Sequence, residues 1–212
     1  MSARNPEAVA GHEPGEVEHD DLLWWSARNG DADAFATLFE RHANAIYNYC
    51  FRRVGDWSAA EDLLSVVFLE AWRRRDKELP PGKVLPWLYG IATNVVCNRR
   101  RSERRYRAAL ARVPAARPEN DFGDDAAVRL DDERRMRDAL AHLKTLPRGQ
   151  QDVVVLCAWG DLSYEDASFA LGVPVGTVRS RLARARRSLE ELDAARGHEP
   201  NDTPNVREGL EG

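Results

Sequence analysis

The amino-acid sequence predicts an all-α protein made of two small helical domains joined by a flexible, acidic linker. Three observations predict it. Apolar residues recur at helical spacing from Asp21 to about Arg107 and again from Asp132 to about Asp193, without β-type alternation or an internal repeat. The stretch between, 108–131, places Pro114, Pro118 and Gly123 among acidic and amide residues and interrupts both patterns. Finally, Leu162 to Glu190 reads as a helix, a glycine turn and a second, arginine-rich helix. Residues 1–20, rich in Glu, Pro and Gly, are expected to be a disordered acidic extension, and 194–212 a flexible tail.

The first domain, 21–107, contains three informative helices. One runs from Asp31 to about Val54, with Ala34, Phe35, Leu38, Phe39, His42, Ile46, Tyr49 and Cys50 at core spacing. Ser58 and Glu61 have the spacing of a capping box and open the next helix, AAEDLLSVVFLEAWRRR. Its stripe of Leu64, Val67, Phe68 and Ala71 faces a core. The opposite side holds Asp62, Val66, Leu69 and Arg73, two large aliphatics where solvent should be. Such a pair fits a docking surface for another protein, or a helix buried on both sides. Pro80-Pro81-Gly82 breaks the chain, and Pro86 can start WLYGIATNVVCNRRRSERR. There Leu88, Ile91, Ala92 and Val95 form the buried stripe, while Trp87, Asn94, Asn98 and Arg101 share another face, followed by further arginines. Aromatic, amide and guanidinium groups on one face suit unstacked bases and a phosphate backbone, although Trp87 equally suits a core.

The second domain, 132–193, ends in the helix-turn-helix. Ser163 with Asp166 starts its first helix, Gly172 stops it, and Pro174 suits the first turn of the second. Stepping about 100° per residue from Val178 brings Leu182, Ala185 and Leu189 within about 40° of it. Gly176, Ser180, Ala183 and Arg187 fall on the far side, flanked by Arg179, Arg184 and Arg186. A seam for packing opposite a basic face with small residues lets a helix approach a groove closely, with arginines in reach of phosphates or guanine edges. A merely solvated basic helix would not need the turn chemistry.

Composition narrows the classes. The 212 residues are 43% apolar and 31% charged, an ordinary soluble balance, and the formal charge of −4 would not by itself suggest nucleic acid. The distribution does: basic residues cluster at Arg99–Arg107 and Arg179–Arg187, and acid collects elsewhere. Cys50, Cys97 and Cys157 are odd in number and form no CxxC pair, which argues against a disulfide framework or a cysteine-rich zinc site. No stretch of 18 apolar residues and no signal-type N-terminus occur, so a cytoplasmic protein without membrane insertion is expected. His12, His19, His42, His142 and His198 show no metal spacing, and no nucleophile is paired with a base; neither cofactor nor metal is expected, nor catalysis.

Three blocks, AEDLLSVVFLEAWRR, VLPWLYGIATNVVCNRRR and LSYEDASFALGVPVGTVRSRLARARRSL, together resemble the bacterial RNA polymerase sigma factors of the sigma-70 family, specifically the small extracytoplasmic-function (ECF) type. The resemblance spans about Asp31 to Leu192. It departs from the family pattern at Ala167-Ser168-Phe169, where apolar bulk occupies a usually polar position, and at Ala183, where some relatives carry an aromatic. No added C-terminal domain is expected after the last helix.

The resemblance implies that 21–107 is sigma region 2 and 132–193 sigma region 4, acting with core RNA polymerase. Asp62, Val66, Leu69 and Arg73 would dock on the clamp helices of the β′ subunit, and region 4 on the β flap. The loop from Asp76 to Leu85, with Lys77, would take up a flipped base of the non-template −10 strand. Trp87, Asn94, Asn98, Arg100 and Arg101 would follow the single strand beside it. Thr177, Arg179, Ser180, Arg181, Ala183, Arg184 and Arg187 would contact duplex promoter DNA at the −35 element. An anti-sigma factor is a further implied partner. A stand-alone helix-turn-helix regulator binding duplex operators is the competing reading; it leaves the first two blocks without work.

Overall fold

The computed structural model describes residues 14–110 and 140–196, and every regular element within them is helical. The order is α1 (Pro14–Arg28), α2 (Ala32–Val54), α3 (Trp57–Arg73), α4 (Val84–Leu110), α5 (140–145), α6 (Arg148–Val154) running into a π-turn (Val155–Trp159), α7 (Tyr164–Leu171) and α8 (Val175–Arg196).

Local chemistry sets these boundaries. Asp31 caps α2, its carboxylate accepting from the amides of Asp33 and Ala34 at 3.0 Å each. Gly55, at φ +74°, ends it with a backbone bond to the Phe51 carbonyl. The cap of α3 is Asp56, accepting from Ala59 N at 2.7 Å, and not the predicted Ser58. The helix starts two residues earlier than a Ser58 cap would allow, because Asp56 lies outside the αR region and an ionised acceptor is at least as good a cap as a hydroxyl. In α7 the predicted signals hold: Ser163 accepts from Asp166 N at 3.0 Å, and Gly172 adopts φ +63°.

The N-terminal expectation needs correcting. Residues 14–20 are the first two turns of α1, not part of a disordered extension. Asp20, an acidic residue that composition assigns to solvent, is buried and binds His42 Nε2 at 2.7 Å and Arg41 at 2.5 Å. Residues 1–13 lie outside the described residues. At the other end of the first domain α4 continues through 108–110, the predicted start of the linker; the rest of 108–131 falls outside the described residues, as do 132–139 and 197–212.

Helices α1 to α4 form a bundle in which α2 packs on each of the other three. Its core comprises Leu38, Ile46, Tyr49, Val67, Phe68, Leu88, Ala92 and Val96, all under 6% exposed. Each large apolar side chain removed from water there contributes about 1.5–3 kcal/mol. In the second half α8 packs on α6 and α7 through the expected seam, with Val178, Leu182 and Ala185 buried and Leu189 half-buried. The two halves also pack on each other. One contiguous apolar cluster runs from Trp24 to Ala185, and α7 lies along α4. Gly90 makes that approach possible: a Cβ there would meet the Ala170 carbonyl oxygen at 2.7 Å.

Candidate nucleic-acid interface

Three exposed surfaces carry the residues singled out by sequence. The first is the outer face of α8. Arg179, Ser180, Ala183, Arg184 and Arg187 are all exposed on it, opposite the buried seam. Local contacts keep part of it ordered. Arg184 donates to the Ser180 carbonyl at 3.1 Å, and the Arg179 guanidinium lies 5.7 Å from the Tyr164 ring centroid. Thr177 sits half-buried at the helix start, where its amide bonds the Pro174 carbonyl. Arg181 is turned away from this face. It lies over Gly149 of α6, where a Cβ would be 3.0 Å from its Cζ. Its angle on the wheel, next to the seam, brings it against α6.

The second surface lies on α3. Asp62, Val66, Leu69 and Arg73 are all exposed, with Leu69 at 57% and Val66 at 43%. The two aliphatics are therefore open to solvent rather than buried on both sides. Arg73 and Arg74 both bond Glu70 at 3.0 Å, so the end of the helix presents a charge-balanced rim beside an apolar strip.

The third surface is the far face of α4, and it adjoins the second. A groove of about 500 Å³ between α3 and α4 is lined by Asp62, Val66 and Arg74 on one wall and by Asn94, Asn98 and Arg99 on the other. Asn94, Asn98 and Arg101 are exposed, and Arg104 and Arg105 extend the basic strip. Sequence periodicity treats α3 and α4 separately. It gives no sign that their selected faces share a groove, nor that Arg74 and Arg99 complete the lining. The run Arg73–Arg75 was the available signal for the former.

Besides Arg181, two more predicted contacts, Trp87 and Arg100, are not on these surfaces. Trp87 lies at the wheel angle of Asn94, yet it is only 6% exposed and its ring meets that of Trp24 at 4.7 Å. The helix face is open at Asn94 and covered at Trp87, because α1 crosses the first turns of α4. Arg100 points inward. It donates to Gln151 Oε1 at 3.2 Å and to the Arg53 carbonyl, and burial, then the neighbouring Arg53 charge, lowers its pKa. Lys77 is exposed in the loop between α3 and α4, with Nζ 6.0 Å from the Trp87 ring centroid.

The loop itself is a tight structure. The Lys83 amide bonds the Pro80 carbonyl at 3.2 Å, and Gly82 takes φ +70°, as a turn of type II with Pro81 and Gly82 at its centre requires. Lys83 Nζ reaches Asp166 of α7 at 2.6 Å, so the loop also touches the helix-turn-helix.

Burial pushes the Cys50 thiol up to about 12 and Cys157 to about 11, so neither is a thiolate at neutral pH. Among the described residues no group of three or more His, Cys, Asp or Glu is placed to hold a metal, and no helix is long and apolar enough to cross a membrane.

Comparison with known proteins identifies the family. The family model for Sigma-70 region 2 matches residues 38–106, covering the α3–α4 groove, and that for Sigma-70 region 4 matches 136–189, covering the helix-turn-helix. The RNA polymerase sigma factor CarQ of Myxococcus xanthus is 33% identical over 165 residues, 78% of this chain and 92% of CarQ. The ECF sigma factor SigW of Bacillus subtilis is 29% identical over 173 residues, 77% of this chain and 91% of SigW. Among solved structures, CnrH in complex with the cytosolic domain of CnrY aligns with a TM-score of 0.62 and 26% identity, over 84% of this chain and 98% of that one. The sigma factor RpoE from Bartonella quintana, bound to the anti-sigma factor NepR, shares the fold with a TM-score of 0.59 and 24% identity, over 76% of this chain and 96% of that one. The chain belongs to the ECF-type, sigma-70-family RNA polymerase sigma factors, the subunits that direct polymerase to promoters.

Proposed function

We propose that this sigma factor divides its work among the three surfaces. Asp62, Val66, Leu69 and Arg73 dock on the β′ clamp helices of core polymerase, the aliphatics supplying apolar contact and the charges orienting it. Lys77 and the loop around it receive a flipped base of the non-template −10 strand, and Asn94, Asn98 and Arg101 track the strand beyond it. Thr177, Arg179, Ser180, Ala183, Arg184 and Arg187 read or grip the −35 duplex from the major groove, with the second half seated on the β flap. Trp87 supports the loop from beneath rather than touching a base. Opening DNA in this way needs no bond making by the protein; a single-strand site offsets the unstacking cost of a few kcal/mol per step. The subunit is thus non-catalytic and works in the cytoplasm.

The observation that carries this reading is the α3–α4 groove, which sets Val66, at the edge of the aliphatic strip of α3, beside the amides of α4. A protein docked on Val66 and Leu69 lies next to any strand held by Asn94 and Asn98, as a polymerase-dependent single-strand reader requires. A stand-alone duplex regulator has no use for that adjacency. Because CnrH was solved with the cytosolic domain of CnrY and RpoE with the anti-sigma factor NepR, an anti-sigma factor belongs in the proposal as well.

Run-off transcription with purified core polymerase on a template library with randomised promoter segments tests the reading. Promoter-specific transcripts that appear only on adding this protein support it. A core that stays silent on every template, with a duplex footprint by the protein alone, would establish the stand-alone regulator instead.

A further inference from the structure

The loop between α3 and α4 is held from outside by α1, a helix to which neither the sequence motifs nor the family-model match, which begins at residue 38, assigns a role. Both oxygens of the Asp21 carboxylate accept from the Gly82 amide, at 2.9 and 3.0 Å. Trp24 Nε1 donates to the Lys77 carbonyl at 3.2 Å. One contact fixes the end of the loop and the other its beginning. A third, Arg28 to Glu78 at 3.2 Å, is solvent-exposed and contributes little.

The turn explains why an external acceptor is needed. In a type II turn the amide of the fourth residue closes the ring, here Lys83 to Pro80, and the amide of the third residue is left without a partner. At Gly82 that orphan amide is turned toward α1 and satisfied by an ionised carboxylate, a stronger acceptor than a neutral one. The helix carrying Asp21 is itself anchored, through Asp20 on His42 and Arg41 and through Trp24, whose ring packs at a 60° tilt against that of Trp87. The loop is therefore mounted on a rigid element instead of relying on its own short chain.

We infer that Asp21 and Trp24 are positioning residues for −10 recognition: α1 clamps the 77–82 loop at both ends and so fixes the geometry with which it accepts a base. This rests on the reading that the loop receives the flipped base. A loop held at two points loses little entropy on binding, and discrimination between bases depends on sub-ångström placement of its groups. Releasing the Gly82 amide leaves the turn's backbone intact through Pro80 and Lys83 but frees its orientation. Selectivity should flatten before stability or polymerase binding suffers.

The test uses reconstituted holoenzyme on a library with −10 and −35 segments randomised separately, reading base preferences by sequencing the transcripts. Asp21→Ala should reduce discrimination at one −10 position by about tenfold, on the scale of losing a hydrogen bond to a charged group. Preferences at −35 and affinity for core polymerase should stay as in the wild type. Asp21→Asn, which keeps one acceptor oxygen, should fall between. Lys77→Ala and Glu78→Ala, in the loop itself, separate the two claims. If neither changes −10 preferences, the loop does not receive the base, and the inference falls with that reading. If they do, while both Asp21 variants keep the wild-type preferences, the loop reading stands and the clamp is refuted. A uniform loss of all transcripts from the Asp21 variants, with unaltered preferences and a lower melting temperature, would make Asp21 purely structural and also overturn it.

Discussion

The Arg53 guanidinium lies 2.7 Å from the Asp152 carboxylate, and this pair joins α2 of the first half to α6 of the second. Arg53 is fully buried and Asp152 nearly so. Gln151 sits between them and Arg100, accepting from both arginines at 3.2 Å. The Arg53–Asp152 contact is close but poorly aligned as a hydrogen bond, so its strength is mainly coulombic. Burial pushes the Asp152 carboxyl above its ordinary pKa, and Arg53 is the foremost of the charges pulling it back. Removing Arg53 alone therefore strands a buried carboxylate. Arg53→Met is expected to destabilise the protein by about 3–5 kcal/mol in urea denaturation, whereas Arg53→Met combined with Asp152→Leu should recover most of that loss.

The contact between α4 and α7 is set by a missing side chain. Ala at position 90 would drive a Cβ into the Ala170 carbonyl, a backbone atom that cannot swing aside. Gly90→Ala should cost about 1–3 kcal/mol by overpacking despite the better helix propensity of alanine. Thermal unfolding measures the loss, and small-angle scattering should show a larger radius of gyration if the halves separate to relieve the clash.

Acid should weaken the attachment of α1 in a defined window. Burial alone would raise the Asp20 carboxyl, but its hydrogen bond and charge contact with His42, together with the Arg41 charge, outweigh this and hold it below the ordinary 3.8. The native state then binds this proton less readily than the unfolded chain. The resulting stability is fully present well above that value and is lost as pH falls through the depressed native pKa. Compared with Asp20→Asn, the wild type should hold a urea-midpoint advantage near pH 5 and lose it progressively below about pH 4.

On α8 the arginines should separate by role. Arg179→Ala is expected to cost about 1–3 kcal/mol of promoter selection if it meets a base edge bidentately, changing preference at one −35 position. Arg187→Ala should weaken binding evenly across sequences and reduce the salt slope by about 1, as loss of one phosphate contact does. Holoenzyme binding to a −35 library at several salt concentrations distinguishes them; evenly weakened binding from Arg179→Ala would place that residue on the backbone.

Local rules carried a large part of this structure. The α8 seam at Val178, Leu182 and Ala185 and the glycine stop at Gly172 follow from helical period and turn chemistry, which depend on residues close in sequence; the same period sets Val66 and Leu69 opposite the core stripe of α3 but leaves their exposure open. What escaped depends on distant partners. Trp87 shares a wheel angle with Asn94, but only the crossing of α1 decides which of them meets solvent. Asp20 looked like part of an acidic tail because its partners, His42 and Arg41, lie in the next helix, some twenty residues on. Arg100, grouped by sequence with the residues following the single strand, turns inward because Gln151, some fifty residues on, lies beside it. The groove between α3 and α4 belongs to neither helix alone.

In the proposed division of labour the aliphatic strip on α3 serves core polymerase. Leu69 is 57% exposed, so its replacement leaves the bundle's core untouched. The decisive measurement is the affinity of purified core polymerase for wild-type protein and for Leu69→Glu, each fluorescently labelled, alongside their melting temperatures. A buried interface leucine replaced by a charge should cost at least about 2 kcal/mol, a loss of roughly thirtyfold or more, with melting unchanged. Equal affinity of the two proteins for core polymerase would contradict the account.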